Sequence, residues 1–170
     1  MSAGPFFGKY RGKVVNNIDP KMIGRILVSV PDVGGSTPLS WAMPCLPLSG
    51  INAGFFTVPA IGSGVWVEFE RGDPGHPIWV GGYWGSAAEV PTYAKTLPPG
   101  VAAITLQTAG LNGLVISDVP GPLGGIIIKN KTKAQISVNE IGITIENGLG
   151  AKIELIGPQI KLNGTALTVT

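Results

Sequence analysis

Histidine and cysteine are almost missing from this 170-residue chain, which has only His76 and Cys45. A single cysteine excludes an internal disulfide, and one histidine beside one cysteine leaves a structural zinc site without enough ligands in one chain. Charge is scarce too: 13% of residues are Asp, Glu, Lys or Arg, with a net charge of +2. That balance makes no case for nucleic acid by itself. No segment approaches about 18 consecutive apolar residues, so no membrane-spanning helix is expected. The opening residues, MSAGPFF, lack a basic stretch followed by an apolar run, so no secretory signal is expected and synthesis is placed in the cytoplasm. Apolar spacing at i, i+3, i+4 and i+7 is absent, and the alanine-containing stretches at 87–89 and 102–103 are too short to nucleate a helix. The expectation is a chain without helices. Cys45, in an alternating apolar stretch, is expected to be a buried small hydrophobe.

What is present is turn chemistry and alternation. Twenty-six glycines and 15 prolines point to many tight turns between short strands. From residue 126 onward, pairs of aliphatic residues two apart recur: Ile126/Ile128, Ile136/Val138, Ile143/Ile145, Ile153/Leu155, Ile160/Leu162 and Leu167/Val169, starting at intervals of 10, 7, 10, 7 and 7. Alternation with period two marks strands with one buried face. Strands this short build no deep core of their own, so these twelve residues are expected to pack against other copies of the chain. Identical copies would close around a shared axis into an intertwined β-prism. The same alternation begins at Ile104/Leu106 and Leu114/Ile116, with Asn112-Gly113 as a hairpin signal between them.

Residues 8–85 predict a small antiparallel barrel. Segments 8–16 and 24–30 are strand-like, with Ile26, Val28 and Val30 on one face and Arg25, Leu27 and Ser29 on the other. Segments 40–45 and 55–58 predict a third and a fourth short strand, with Pro44 marking an edge or bulge. Val65, Val67 and Phe69 alternate with Trp66, Glu68 and Glu70, and a turn leads to 77–80, with the glycines after it ending the barrel. Five or six strands without a helix suit a closed Greek-key barrel, which removes exposed edges. Residues 1–86 are assigned to the barrel, 87–100 to a linker or collar, and 101–170 to the self-associating strand repeat.

No enzymatic constellation is complete. Glu68 and Glu70 would share one exposed strand face, whereas glycoside hydrolysis needs two carboxyls facing each other across a cleft. His76 lies in a Gly/Pro-rich turn, where solvation or a local hydrogen bond is the simpler role. The glycines at 62–64 and 72–75 open no helix and so lack the basis of a phosphate loop. Trp41, Trp66, Trp79 and Trp84 raise the alternative of an OB-fold module binding single-stranded nucleic acid with an oligomerising tail. Each tryptophan has Pro or Gly, and no Lys or Arg, within three residues along the chain, which favours packing. No cofactor and no metal ligand set is expected. Five of the twelve basic residues, Lys9, Arg11, Lys13, Lys21 and Arg25, lie close together and are candidates for contact with a partner.

Five ordered blocks resemble a known family: residues 8–20 (GKYRGKVVNNIDP), 24–32 (GRILVSVPD), 40–45 (SWAMPC), 58–74 (VPAIGSGVWVEFERGDP) and 77–85 (PIWVGGYWG). They look like the OB-fold domain of the phage baseplate assembly protein V family, the central spike of contractile tails and related injection systems. Residues 101–170 resemble that family's trimeric β-helical needle by repeat pattern. The resemblance implies an all-β chain, an OB-fold barrel followed by an intertwined trimeric β-helix or β-prism. It further implies a homotrimer with the barrel docked on a baseplate hub protein, transient contact with the target membrane, no catalysis and assembly into a tail or injection particle. Some relatives carry a lysozyme domain between barrel and needle; here about fifteen residues intervene, and no muramidase activity is implied. Some short spikes end in a histidine-rich, metal-holding apex, but residues 167–170 (LTVT) contain no ligand. A blunt end with a separate PAAR-type tip protein is therefore expected.

Overall fold

The computed structural model describes residues 5–35, 37–164 and 166–169, with side chains to residue 167. The chain divides into two compact units, Met1–Ala87 and Ala88–Thr170. In the first, β1 (Tyr10–Asn16), β2 (Ile26–Ser29), β3 (Trp41–Pro44), β4 (Ser49–Gly50), β5 (Ala53–Gly54), β6 (Gly64–Phe69) and β7 (Pro77–Tyr83) follow one another. Five of them close a barrel in the order β1-β2-β3-β7-β6, antiparallel except for the parallel pair β3–β7. The one-sided alternation foreseen for β2 and β6 is what fills it. Ile26, Val28 and Val30 join Val14, Ala42, Val65, Val67, Phe69 and Trp79 in the buried core. The Trp79 indole N–H donates to the Gly24 carbonyl at 3.1 Å, so its polar edge is satisfied inside.

Several local expectations are corrected. Pro31–Gly34 forms a four-residue helix, α1, with proline in its first turn, and Thr92–Lys95 forms another, α2. Residues 55–58 are not a strand; the chain instead makes the two-residue hairpin β4–β5 just before them. The last barrel strand, β7, runs past residue 80 through Gly81 and Gly82 to Tyr83, so the barrel ends within residues 81–85, with a register shift opposite Trp66 and Val67. Cys45 follows β3 and is exposed, since the alternation it belonged to stops at Pro44.

The second unit is a single antiparallel meander of eight strands. These are β8 (Ala103–Gln107), β9 (Gly113–Ser117), β10 (Gly125–Lys129), β11 (Gln135–Val138), β12 (Ile143–Glu146), β13 (Lys152–Ile156), β14 (Gln159–Leu162) and β15 (Leu167–Val169), each paired with the next. At about 4.8 Å per strand the sheet is about 34 Å long across its strands. All of this pairing lies within one chain. Asn112-Gly113 is not the hairpin turn: residues 108–112 make the connection and Gly113 opens β9. Glycine is favoured there because a Cβ would stand 2.9 Å from both the Leu106 carbonyl and the Tyr93 ring of α2.

Corners of the meander share one device. The side-chain oxygen of Asn130 accepts the backbone N–H groups of Thr132 and Ala134, and that of Asn139 accepts those of Ile141 and Gly142. Asn147 does the same for Leu149 at 2.8 Å and Ala151 at 3.1 Å. Asparagine closes its own turn this way, satisfying N–H groups that the ladder leaves unpaired. Between β13 and β14 a two-residue turn at 157–158 does the work with Gly157 at φ 54°.

Candidate functional site

Register converts the aliphatic pairs into two straight columns. Cα pairing aligns Ile104, Ile116, Ile126, Val138, Ile143, Leu155, Ile160 and Val169 across the eight strands. A second column, two residues away on each strand, aligns Leu106, Leu114, Ile128, Ile136, Ile145, Ile153, Leu162 and Leu167. Since side chains two apart share a face, both columns lie on the same side of the sheet. The Val169 side chain lies outside the described residues. All twelve positions expected from the sequence thus stand in register, joined by Ile104, Leu106, Leu114 and Ile116.

In a single chain this face is open. Ile128 is 53% exposed, Ile145 44% and Leu167 52%, although no polar residue interrupts either column. Soluble monomers seldom leave a contiguous apolar stripe of this extent in water. The opposite face carries Val115 and Ile127 on β9 and β10 and is mostly polar from β11 onward. Ser137, Thr144, Glu154 and Lys161 follow one another in register, and Lys152 pairs with Glu154 at 2.9 Å. At its β8–β9 end that face is covered by α2. The Tyr93 hydroxyl donates to the Leu111 carbonyl at 2.7 Å, its backbone N–H to Gln107 at 2.9 Å, and the Lys129 ammonium lies 3.9 Å from the centre of its ring. Sequence reasoning passed over Tyr93, and the periodicity contained no signal for it.

The five cations are not one free patch. Arg25 is bound to Asp19 at 2.7 Å with both side chains nearly buried, and its guanidinium stacks on Trp41 at 5.4 Å. The same Asp19 carboxylate accepts the N–H groups of Lys21, Ile23 and Arg25, tying off the 17–25 loop. The Arg25 guanidinium, followed by those N–H groups, holds the Asp19 carboxyl far below its ordinary value of 3.8. Arg11 lies over Trp66 at 5.6 Å and over Tyr83 at 5.3 Å. Lys9 pairs with Glu68. Lys13 and Lys21 are exposed and make no ion pair among the described residues.

Acid–base groups do not converge. Glu68 is on β6, but Glu70 has turned into a 3-10 turn, so the two do not share a strand face as expected. His76 meets Asp73 at 3.0 Å in the open, and the Gly75 N–H, then His76, lowers the Asp73 carboxyl. Ser40 is spent on the Gly75 carbonyl at 2.6 Å. Among the described residues no three His, Cys, Asp or Glu side chains gather closely enough to hold a metal ion. No described helix is long and apolar enough to cross a membrane.

A five-stranded barrel with a parallel closing pair, followed by a sheet with one uncovered aliphatic face, narrows the comparison. Residues 10–84 match the type VI secretion system/phage-baseplate injector OB domain. Residues 103–168 match the phage baseplate V C-terminal trimerisation domain. The chain belongs to the phage baseplate V, or central spike, family. No curated protein matches it significantly. Within the baseplate V family the barrel is therefore the OB domain, and the meander bearing the two columns is the trimerisation domain. Members of this kind are structural proteins of a phage baseplate or type VI spike, and this chain carries both of the family's domains.

Proposed function

We propose that the chain is the homotrimeric central spike of a contractile tail or related injection system, and that it helps to breach a target cell envelope. The observation carrying this is the pair of unbroken aliphatic columns, open in one chain and lying within the matched trimerisation domain. Three copies turn these faces inward and bury one another's columns, while the face of Lys152 and Glu154 turns away from the axis. Side chains packed along the whole 34 Å of sheet hold the copies together. Sliding one copy past another would break every level at once. Such a rod transmits the load of sheath contraction without catalysing anything. The barrel end meets a baseplate hub protein through the exposed Lys13 and Lys21, and the needle end carries a PAAR-type tip protein that meets the membrane first.

Light scattering on the full chain tests this directly. The expected mass is three times 17.5 kDa. A stable monomer refutes the proposal, and clearing of a cell-wall substrate in a gel assay refutes its non-enzymatic part.

A further inference from the structure

The barrel carries a second apolar surface that the columns do not explain. Between Cys45 and Gly64 there is no charged residue at all. The β4–β5 hairpin in this stretch holds Ile51 at its tip, 96% exposed, with Leu48 at 57%, Phe55 at 59% and Phe56 at 70% on the strands' flanks. Asn52 beside the tip adopts φ 55° and the Phe55 N–H donates to the Leu48 carbonyl at 3.0 Å, so the arm is a formed hairpin. Phe56 reaches back to the 17–25 loop, 3.6 Å from the Cβ position of Gly24. The same uncharged stretch also lines a hollow between Leu46, Pro47, Val58, Pro59 and Gly82.

We infer that this arm is a barrel-to-barrel clasp: the Ile51 hairpin of one copy seats in the Leu46–Val58 hollow of the next copy in the trimer. The inference rests on the trimer reading above. A threefold ring needs a head-to-tail interface, in which each copy offers two different complementary surfaces. An apolar knob and an uncharged hollow are such a pair. Absence of charge with exposed aromatics matches the centre of a permanent interface, where charged residues are depleted, better than a transient one. Two phenylalanines left in water would invite aggregation. Other copies are the one partner present as soon as the trimer forms, and their tethering to a common trimer raises the barrels' effective concentration to the millimolar range.

The test places the photo-cross-linker benzoylphenylalanine at position 51 of the full chain, where the side chain is free and folding is undisturbed. Irradiation of the purified protein should give covalent dimers and trimers on a denaturing gel, in a yield independent of protein concentration. The linked peptide should contain residues 45–47, 57–59 or 79–82. Phe56→Asp in the same protein should leave the mass trimeric and cut the cross-link yield about tenfold or more. A trimer by light scattering that yields only monomer bands overturns the clasp and leaves the trimer standing. A monomer by light scattering overturns both.

Discussion

Ile145→Ala separates a closed prism from an open sheet. Ile145 sits mid-sheet, between Ile136 and Ile153 in its column, and keeps 44% of its surface in a single chain. Full burial of an isoleucine is worth about 1.5–3 kcal/mol, so association supplies about 0.7–1.3 kcal/mol from this residue per copy. Three copies give about 2–4 kcal/mol per trimer, or roughly 30- to 700-fold in the trimer's dissociation constant. Each copy also inherits a cavity, which raises the loss further. The neighbouring Thr144 faces the polar side, and Thr144→Ala should change stability by no more than about 0.5 kcal/mol. The assay is trimer dissociation followed by light scattering in increasing denaturant, with both variants beside the parent. Ile145→Ala dissociating like Thr144→Ala and the parent would refute the claim that the columns face one another across an axis.

Acid should loosen the barrel through Asp19. Its carboxyl titrates below 3.8 when folded, so its contribution is complete above about pH 4 and drains away as the pH falls further. Circular dichroism melts of the parent from pH 5 to 2 should show a falling midpoint, and Asp19→Asn should show a shallower fall from a lower start; parallel curves would disprove the assignment. Gly142→Ala brings a Cβ within 2.0 Å of the Leu155 carbonyl at φ 153° and should cost about 3 kcal/mol or more, whereas Gly150→Ala, with φ 106° and nothing within 4 Å, bears strain alone. Equal denaturant midpoints for the two glycine variants would count against the β12–β13 register.

Legibility followed the range of the interaction. The barrel core was readable because Ile26, Val28, Val30, Val65, Val67 and Phe69 alternate within single strands, and period two is a property of three consecutive residues. The aliphatic pairs were readable for the same reason. Places where a neighbour from elsewhere in the chain intervenes were misjudged. Gly113 looked like half of a turn dipeptide, yet what bars a side chain there is the Leu106 carbonyl across the ladder and the Tyr93 ring. Cys45 looked buried because the alternation before it was extended one residue past Pro44. The short helix at 31–34 was missed because proline in a first turn leaves no periodic trace over four residues.

By itself, the order of residues determined that one face of each C-terminal strand is aliphatic and that something must cover it, because the alternation of side chains along a strand is intrinsic to the backbone. Only the tertiary structure decided that these faces join into two straight columns, since that depends on register between strands and on where each asparagine corner sends the chain back. It also decided that Arg11 and Arg25 are held in stacks while Lys13 and Lys21 make no ion pair among the described residues, because a cation's availability is set by which distant ring or carboxylate the fold brings beside it.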